Sequence, residues 1–412
     1  MIVKTITAAA TALVAARLVV NSLFARHCCR TIFNRRPPKF LIGWRFLHVT
    51  RPLQMLWRFL SAPLRVAGPD VMLLGEVRCG TTTLAALLRS ELGMVGPFTP
   101  WDVELANNKE SFFFAGHYFG LVAPQLYRLC FPLRAVRWLE RALLHWRGDQ
   151  QSLLFDGCAS HLSAPWAPRL VSELQAVVRR GRPMVFIVCV REPVSQHLSW
   201  WRLEHNSMAF AQHLELGDHY HGPPTRRGYP PATFEDALTL ARSTDVGRLW
   251  ADADSLAADS GSLLRRLPDW ALPFPNGQLS AFERFGRYAE SVQRWFDFFE
   301  RDAFVFVNLD ELAANPEAVL DRIASRCAAV LGIEPPRRSH HATTLSAGSA
   351  VAVEAPVLNA SPDLPPALEP HAECLKRLGA HYRPLNEALY RLVGNDLGWH
   401  DDPRYPWYTP EA

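Results

Sequence analysis

Four short apolar runs constrain the fold of this chain more than any other feature. They span Val71–Leu74, Leu153–Phe155, Val185–Val190 and Phe304–Leu309. Their hydrophobic residues are continuous rather than alternating, which is typical of parallel strands covered by helices on both faces. At 412 residues and 49% hydrophobic content, the chain is long enough for one large α/β domain or two ordinary ones.

Helical patterns lie between and after these runs. The predicted helices are Thr83–Leu92, Pro168–Arg179, Ser195–Leu203 and Arg284–Glu300. In the last of them Tyr288, Val292, Trp295 and Phe299 share one face. Strands that alternate with helices predict an α/β fold with a P-loop-like open, mostly parallel sheet flanked by helices, in which ligands bind at the carboxyl ends of strands.

The charge of the chain is unevenly distributed. Its first 69 residues contain eleven Lys or Arg and no Asp or Glu, so the other 33 basic and 40 acidic residues leave about −7 on residues 70–412. Apolar runs on both sides of Arg17 together approach the length of a membrane span. We expect residues 1–66 to form a basic anchor or targeting segment and stem, and residues 67–412 the main domain, with a loop-rich insertion at about 205–283.

Three interpretations of the basic segment stay open. An uncleaved signal anchor is the first, and a cleaved signal sequence or an Arg-rich organellar transit peptide are the alternatives. The eight cysteines form no CxxC pair and no zinc-ligand spacing, so a metal site is not expected. A disulfide between Cys327 and Cys374 is left open for an oxidising lumen.

The stretch VMLLGEVRCGTTTLAALL at residues 71–88 predicts a buried strand, a glycine turn and a helix. Such a turn directs backbone N–H groups and a helix dipole at an anion, and Arg78 is a nearby cation. Gly75 and Gly80 have the spacing of a nucleotide-binding P-loop, but Thr81 stands where its phosphate-binding lysine should be. A plain strand-to-helix turn is the alternative.

Two further stretches carry candidate polar residues. In VFIVCVREPVSQHLSWW, Arg191 ends a strand and Ser199 lies eight residues later, so both can hold one phosphate. In NNKESFFFAGHYFG, Lys109 and Glu110 precede three phenylalanines, and burial beside aromatics makes Glu110 a candidate general base. The alternatives are a surface arginine and a solvent-facing ion pair at the edge of an aromatic core.

These stretches, in this order, resemble the sulfotransferases that use 3′-phosphoadenosine 5′-phosphosulfate. The motifs are GxxRxGTTxL, KExxFF and RxPVxxxxS, and they are most similar to the Golgi carbohydrate branch, which includes heparan sulfate and chondroitin enzymes. Residues 286–323 match that branch's G-x-Y, Trp, acidic-Leu and Asn-Pro pattern, and residues 383–399 match its Pro-x-Asn-x-x-Leu and Gly-Trp pattern. The resemblance covers about residues 70–400.

The resemblance implies transfer of a sulfuryl group to a carbohydrate hydroxyl, with no metal and no nucleic acid involved. Glu110 and Arg78 would be catalytic. The donor would be bound by Arg78, Cys79, Gly80, Thr81, Thr82, Thr83, Arg191 and Ser199, the last two on its 3′-phosphate. The protein would be a single-pass type II membrane protein of the Golgi.

Three departures from the family pattern stand out. The branch usually has Lys where this chain has Arg78, although a related tyrosylprotein branch has Arg. Gly157 replaces the lysine of an E-K-T-P motif. The late Lys-Gly segment is not evident in residues 335–366, where Arg337 and Arg338 are candidate substitutes.

Two histidines and two alternative functions are also considered from the sequence. His117 and His161 lie near the proposed site in the sequence and are more readily interpreted as structural. A magnesium-dependent P-loop kinase is the alternative enzyme class. A glycan-binding member of the fold that has lost turnover is the alternative without catalysis.

Overall fold

The computed structural model of the chain describes residues 51–97, 109–111, 113–114, 124–147, 152–177, 179–202, 234, 286–336 and 369–408. In these residues, strands β1 (Val71–Gly75), β2 (Phe155–Asp156), β3 (Val185–Val190) and β4 (Phe304–Asn308) form one sheet. All three strand pairs are parallel, and the order is β2-β1-β3-β4. The predicted fold class, an open parallel α/β sheet flanked by helices, is confirmed.

Each strand overlaps one of the predicted apolar runs. Every residue of β1 and β3 is buried, as expected for central strands of a parallel sheet. The second run differs most from its prediction, because β2 begins only at Phe155 and Leu154 before it forms an isolated bridge with Val95.

The helices follow the predicted pattern with shifted ends. They are α1 (Arg51–Leu60), α2 (Thr81–Ser90), α3 (Arg134–Arg147), α4 (Ala167–Val177), α5 (residues 193–202), α6 (Tyr288–Phe296), α7 (Leu309–Ala314), α8 (Pro316–Leu331) and α9 (Ala372–Val393). Helices α2 and α5 begin two residues before their predicted starts. For α5 the reason is Glu192, whose carboxylate accepts hydrogen bonds from the N–H groups of Val194 (2.9 Å) and Ser195 (2.6 Å) and so caps the helix.

Helix α6 packs on the sheet through the apolar face that its spacing predicts. Tyr288, Val292 and Trp295 are at most 1% exposed. The Trp295 ring lies 5.3 Å from that of Phe186 on β3, and its indole N–H donates to the carbonyl of Leu162 (3.1 Å). The helix therefore holds its first residue, Tyr288, in a fixed position beside the end of β3.

The C-terminal segment is tied to the end of β3 through Glu192. This carboxylate is fully buried and accepts hydrogen bonds from the indole of Trp407 (3.3 Å) and the hydroxyl of Tyr408 (2.7 Å). Burial raises the pKa of Glu192. Arg383 on α9 donates to the carbonyl of Tyr408 (2.8 Å), so helix α9 and residues 405–408 together brace the chain next to Arg191.

Several sequence-based predictions concern residues that the structure does not describe. These are residues 1–50 and almost all of the insertion at 205–283, from which only Phe234 is described, packed against Trp201. The boundary between residues 66 and 67 therefore stays a prediction. Among the helices of the described ranges, none combines the length and the apolar character that a bilayer crossing requires.

The cysteines of the described residues are all free and buried. Cys327 and Cys374 belong to this set, so no disulfide joins them in the structure. Burial raises the pKa of Cys79 and of Cys327 to about 12, which keeps both thiols neutral. Within the same described ranges, no group of three or more His, Cys, Asp or Glu side chains is arranged to hold a metal ion.

Candidate active site

The glycine loop after β1 is shaped by close contacts at both of its glycines. A Cβ at Gly75 would lie 2.9 Å from a methyl group of Thr81 and 3.0 Å from Cβ of Cys189. Gly80 has φ of +82°, and a Cβ there would lie 2.5 Å from a methyl group of Leu309. These close contacts and the positive φ of Gly80 favour glycine at both positions.

The loop leads directly into the N-terminus of α2, where the first backbone N–H groups have no partner within the helix. Gly80 is the N-cap residue and brings no side chain that could cap these groups. An anion placed here would meet backbone donors and the positive end of the helix dipole. Thr82 is partly exposed, whereas Thr81 and Thr83 are at most 7% exposed.

Cys79 is engaged in the turn itself. Its backbone N–H donates to the carbonyl of Glu76 (3.2 Å), and its buried thiol lies 3.3 Å from the hydroxyl of Tyr288. Among the residues that the sequence predicts to bind the donor at this loop, Cys79 therefore contributes to the shape of the turn.

The predicted phosphate-binding residues of β3 and α5 meet the glycine loop on its β3 side. Nε of Arg78 donates to Oγ of Ser199 (2.9 Å), and a terminal nitrogen of Arg191 donates to the backbone carbonyl of Arg78 (3.2 Å). Burial and the nearby charge of Arg191 lower the pKa of Arg78. Two neighbouring guanidinium groups repel each other, and a bound anion would relieve that repulsion.

Tyr288 and Gln196 hold this group of residues in place. The Tyr288 hydroxyl lies 2.6 Å from the Gln196 side-chain oxygen and accepts from the backbone N–H of Arg191 (3.3 Å). The Gln196 amide in turn donates to the carbonyl of Val77 in the loop (2.9 Å). Its helical spacing predicts a packed position for Tyr288 but does not reveal this contact.

Lys109 and Glu110 lie at the loop's other side, next to the end of β2. The Lys109 ammonium pairs with the Glu110 carboxylate and lies 3.4 Å from Oγ1 of Thr81 and 3.3 Å from the carbonyl of Gly157. Lys109 is 6% exposed, while the side chain of Glu110 retains 20% exposure. The carboxylate that the sequence predicts as a base is therefore beside the first residue of α2 and still reachable from solvent.

Asp156 anchors this pair to the sheet. It is fully buried and accepts hydrogen bonds from the backbone N–H of Ser111 (3.0 Å), from the Ser111 hydroxyl and from the Tyr127 hydroxyl. Phe113 and Phe114 are also buried and pack on Tyr127. The aromatic core that the sequence suggested for this stretch is therefore present, and Glu110 lies at its edge.

The position of the E-K-T-P lysine leaves little room for a side chain. A Cβ at Gly157 would lie 3.2 Å from both a methyl group of Leu73 and the carbonyl oxygen of Lys109. His161 is fully buried with its ring 5.7 Å from that of Phe114, and burial lowers its pKa, so it is a neutral core residue. His117, Arg337 and Arg338 lie outside the described residues.

Comparisons with known proteins find similarity to solved structures. No family model matches the chain. No curated protein matches it. Among solved structures, the chain is similar to the crystal structure of a sulfotransferase from Alicyclobacillus acidocaldarius, with a TM-score of 0.42 and 15% identity over 81% of this chain and 98% of that one. A similarity this distant assigns neither a family nor an activity to this chain.

Proposed function

We propose that the chain is a sulfotransferase that moves a sulfuryl group from 3′-phosphoadenosine 5′-phosphosulfate to a hydroxyl of a carbohydrate. The observation that carries the proposal is the placement of two polar groups on opposite sides of one glycine loop. Arg78, Arg191 and Ser199 lie toward β3, and Lys109 and Glu110 lie toward β2. The donor is matched to this arrangement, because it carries a 3′-phosphate at one end and a 5′-phosphosulfate at the other.

In this proposal the loop binds the 5′-phosphosulfate and the arginine side binds the 3′-phosphate. The N–H groups of Thr81 to Thr83 and the dipole of α2 favour the phosphosulfate. Arg191 and Ser199 bind the 3′-phosphate, with Arg78 between the two anionic groups. ATP has no 3′-phosphate and would leave the two guanidinium groups without an anion.

The transfer step uses Glu110 as general base. Glu110 takes the proton of the acceptor hydroxyl as its oxygen forms a bond to sulfur, and the bond between sulfur and the 5′-phosphate oxygen breaks. The electron pair of the broken bond stays on the phosphate, which leaves as part of adenosine 3′,5′-bisphosphate. Fixed donors and cations around the loop stabilise the charge of that leaving group.

The cellular setting is part of the same proposal. The acid-free, Arg-rich residues 1–66 would anchor the protein in the Golgi membrane as a single-pass type II protein, or direct it to an organelle as a transit peptide. A tagged full-length protein, imaged in cells and digested in sealed membranes, distinguishes these two outcomes. Lumenal protection together with membrane retention is expected for the anchor.

Calorimetry with nucleotides tests donor recognition. We expect adenosine 3′,5′-bisphosphate to bind without magnesium and ATP to bind more weakly. Tight, magnesium-dependent binding of ATP with no binding of the bisphosphate would contradict the proposal and favour a kinase. Radiolabelled donor incubated with a panel of glycans then tests transfer, and glycan binding without consumption of donor would indicate a protein that has lost turnover.

Two variants separate the roles of the site. Arg191→Ala is expected to weaken bisphosphate binding about 10- to 100-fold, because it removes a charge-assisted contact. Glu110→Gln is expected to spare binding and to lower kcat about 10²- to 10⁴-fold. Arg326→Ala, which removes an exposed arginine beside Asp302, serves as the control and should change neither. Full turnover by Glu110→Gln would refute its assignment as the base.

A further inference from the structure

Lys109 brings an ammonium group beside the residue that stands at the position of a P-loop lysine. A P-loop places lysine directly after its second glycine, and this chain has Thr81 there. The Lys109 ammonium comes from another segment of the chain and lies 3.4 Å from the Thr81 hydroxyl. The chain therefore has a lysine at the start of α2 that local sequence spacing does not reveal.

The surroundings of Lys109 hold its ammonium in one position. Its three hydrogens face three acceptors, which are the Glu110 carboxylate, the Thr81 hydroxyl and the Gly157 carbonyl. The backbone of Lys109 is fixed as well, because its carbonyl accepts a hydrogen bond from the N–H of Gly157 (2.5 Å). A lysine that is only 6% exposed is rare unless it is paired, because burial of its charge costs desolvation free energy.

Resting on the proposed function, we propose that Lys109 is the cation that acts on the transferring sulfuryl group. Arg78 lies on the other side of the loop, where its Nε is bonded to Ser199. Lys109 lies beside the proposed base and beside the backbone donors of α2. Since Gly157 brings no side chain, Lys109 also supplies the positive charge that the E-K-T-P lysine would otherwise bring.

Kinetics of Lys109→Met and Lys109→Arg in the full-length protein test this role, with Lys376→Met on α9 as the control. Lys109→Met should lower kcat about 100-fold or more, because charge develops in the transition state where the ammonium lies. Its affinity for adenosine 3′,5′-bisphosphate should fall by much less than kcat does, because the 3′-phosphate contacts and the backbone donors of the loop remain. Lys109→Arg should restore at least part of kcat.

The split between kcat and nucleotide affinity distinguishes this role from a merely structural one. A structural role would lower kcat and the affinity for adenosine 3′,5′-bisphosphate alike, and Lys109→Arg would not restore kcat. That result, or an unchanged kcat in Lys109→Met, would overturn the proposal while leaving the sulfotransferase assignment intact. A wild-type protein that neither binds the bisphosphate nor transfers sulfate would instead refute the proposed function.

A different observation concerns the surface formed by α1, the turn after it and α3, here called the apolar face. Ten large hydrophobic side chains of the described residues are exposed, and eight of them belong to this face. They are Leu56, Trp57, Phe59, Leu60, Leu64, Val136, Trp138 and Leu139, each 53–70% exposed. Arg134 joins the two elements, because it donates to the carbonyls of Pro63 and Arg65 (both 3.0 Å).

Helix α1 directs its apolar residues away from the protein. Leu56, Trp57, Phe59 and Leu60 cover one broad side of the helix, while Arg58 on the opposite side donates to the carbonyl of Leu129 (2.6 Å). Residues 51–69 and 134–147, which span the face, contain seven arginines and one acid, Glu140, which pairs with Arg137. An exposed surface that combines Trp, Phe and Leu with an excess of arginines is complementary to the interface of an anionic bilayer.

We infer that the apolar face docks on the surface of an anionic membrane. The chain before it is free of acids and contains two apolar runs, so the whole region up to residue 69 has the same character. This contact is independent of the reaction and of the type of N-terminal segment. It would hold the main domain against the bilayer instead of leaving it at the end of a free stem.

Binding of the full-length protein to vesicles tests this inference. The triple variant Trp57→Glu, Leu60→Glu, Trp138→Glu should bind phosphatidylserine-containing vesicles about tenfold or more weakly than wild type, and wild type should bind pure phosphatidylcholine more weakly. The control is Val95→Glu with Phe298→Glu, which changes the two exposed large hydrophobic side chains of the described residues that lie outside the face. It should bind like wild type.

Hydrogen–deuterium exchange identifies what covers the face. Peptides spanning residues 56–64 and 134–142 should be protected only when anionic vesicles are added. Protection without vesicles at all protein concentrations would assign the face to the chain's own N-terminal residues, and protection that grows with protein concentration would assign it to a second copy. Either result, or equal vesicle binding by the triple variant, would overturn the inference.

Discussion

Gly379 lies inside α9, at a position where alanine is ordinarily the better residue. Alanine is favoured over glycine in a helix interior by about 1 kcal/mol, so Gly379→Ala would be expected to stabilise the protein. The structure predicts the opposite. A Cβ built on Gly379 would lie 2.5 Å from the carbonyl oxygen of Trp407 and 3.0 Å from its carbonyl carbon. Both atoms belong to the backbone, which cannot rotate away as a side chain would.

The magnitude follows from what must move. To reach an ordinary contact of 3.4 Å, Trp407 has to shift by about 0.9 Å. Overpacking of this kind costs about 1–3 kcal/mol. The shift also strains the hydrogen bonds from Trp407 and Tyr408 to Glu192, and loss of one bond to a charged group costs about 1.5–3 kcal/mol. After the helix-propensity gain is subtracted, we expect a net loss of roughly 1.5–5 kcal/mol.

Urea unfolding followed by circular dichroism measures this loss, with Ala380→Gly as the reference. Ala380 is the exposed neighbour on the same helix, so its substitution reports the propensity term alone, about 1 kcal/mol. Because Glu192 adjoins Arg191, Gly379→Ala should also weaken binding of adenosine 3′,5′-bisphosphate, and Ala380→Gly should not. An unfolding midpoint of Gly379→Ala at or above that of wild type would refute the reasoning.

Two further predictions concern the loop and the core. Gly80→Ala should destabilise the protein by more than Gly332→Ala. Both glycines have positive φ, which costs about 1–2 kcal/mol for a residue with Cβ. Only at Gly80 would the added Cβ also clash with the Leu309 side chain. Equal losses in urea unfolding would contradict this steric contribution. His161 should lower stability as the pH falls from 7.5 to 5.5, since its folded pKa is below the unfolded value of 6.5 and the unfolded chain binds the extra proton. The loss should be on the order of 1 kcal/mol, and it should be smaller in His161→Phe, which lacks the titrating ring. This substitution breaks no hydrogen bond with the described residues, because neither ring nitrogen has a partner among them. Equal pH dependence of the two proteins would contradict the prediction.

Much of the fold could be predicted because burial leaves a local mark on sequence. The runs at 71–74 and 185–190 are continuous and apolar since both faces of their strands are covered, and both are strands in the structure. The spacing of Tyr288, Val292 and Trp295 correctly identified the buried side of α6. Strand ends were less certain, and β2 was misplaced by two residues, because its pairing depends on a bridge partner, Val95, far away in the chain.

The sequence predicted single residues of the candidate site, but not the contacts between them. Arg78, Arg191 and Ser199 could each be singled out from local motifs. That Arg78 bonds to Ser199 follows only from β1 and β3 being neighbours, which brings the ends of both strands to one edge of the sheet. Their roles in donor binding stay predictions for the experiments above.

The sequence by itself determined the parallel α/β class, the glycine loop between β1 and α2 and the acid-free character of the first 69 residues, because each depends on residues that are close together in the chain. Only the tertiary structure decided which charge stands at which side of that loop. Lys109 is 28 residues from Thr81 and 48 from Gly157, yet its ammonium touches both. No local pattern records such a contact, because it arises when the strand order β2-β1-β3-β4 places the segment before β2 beside the end of β1.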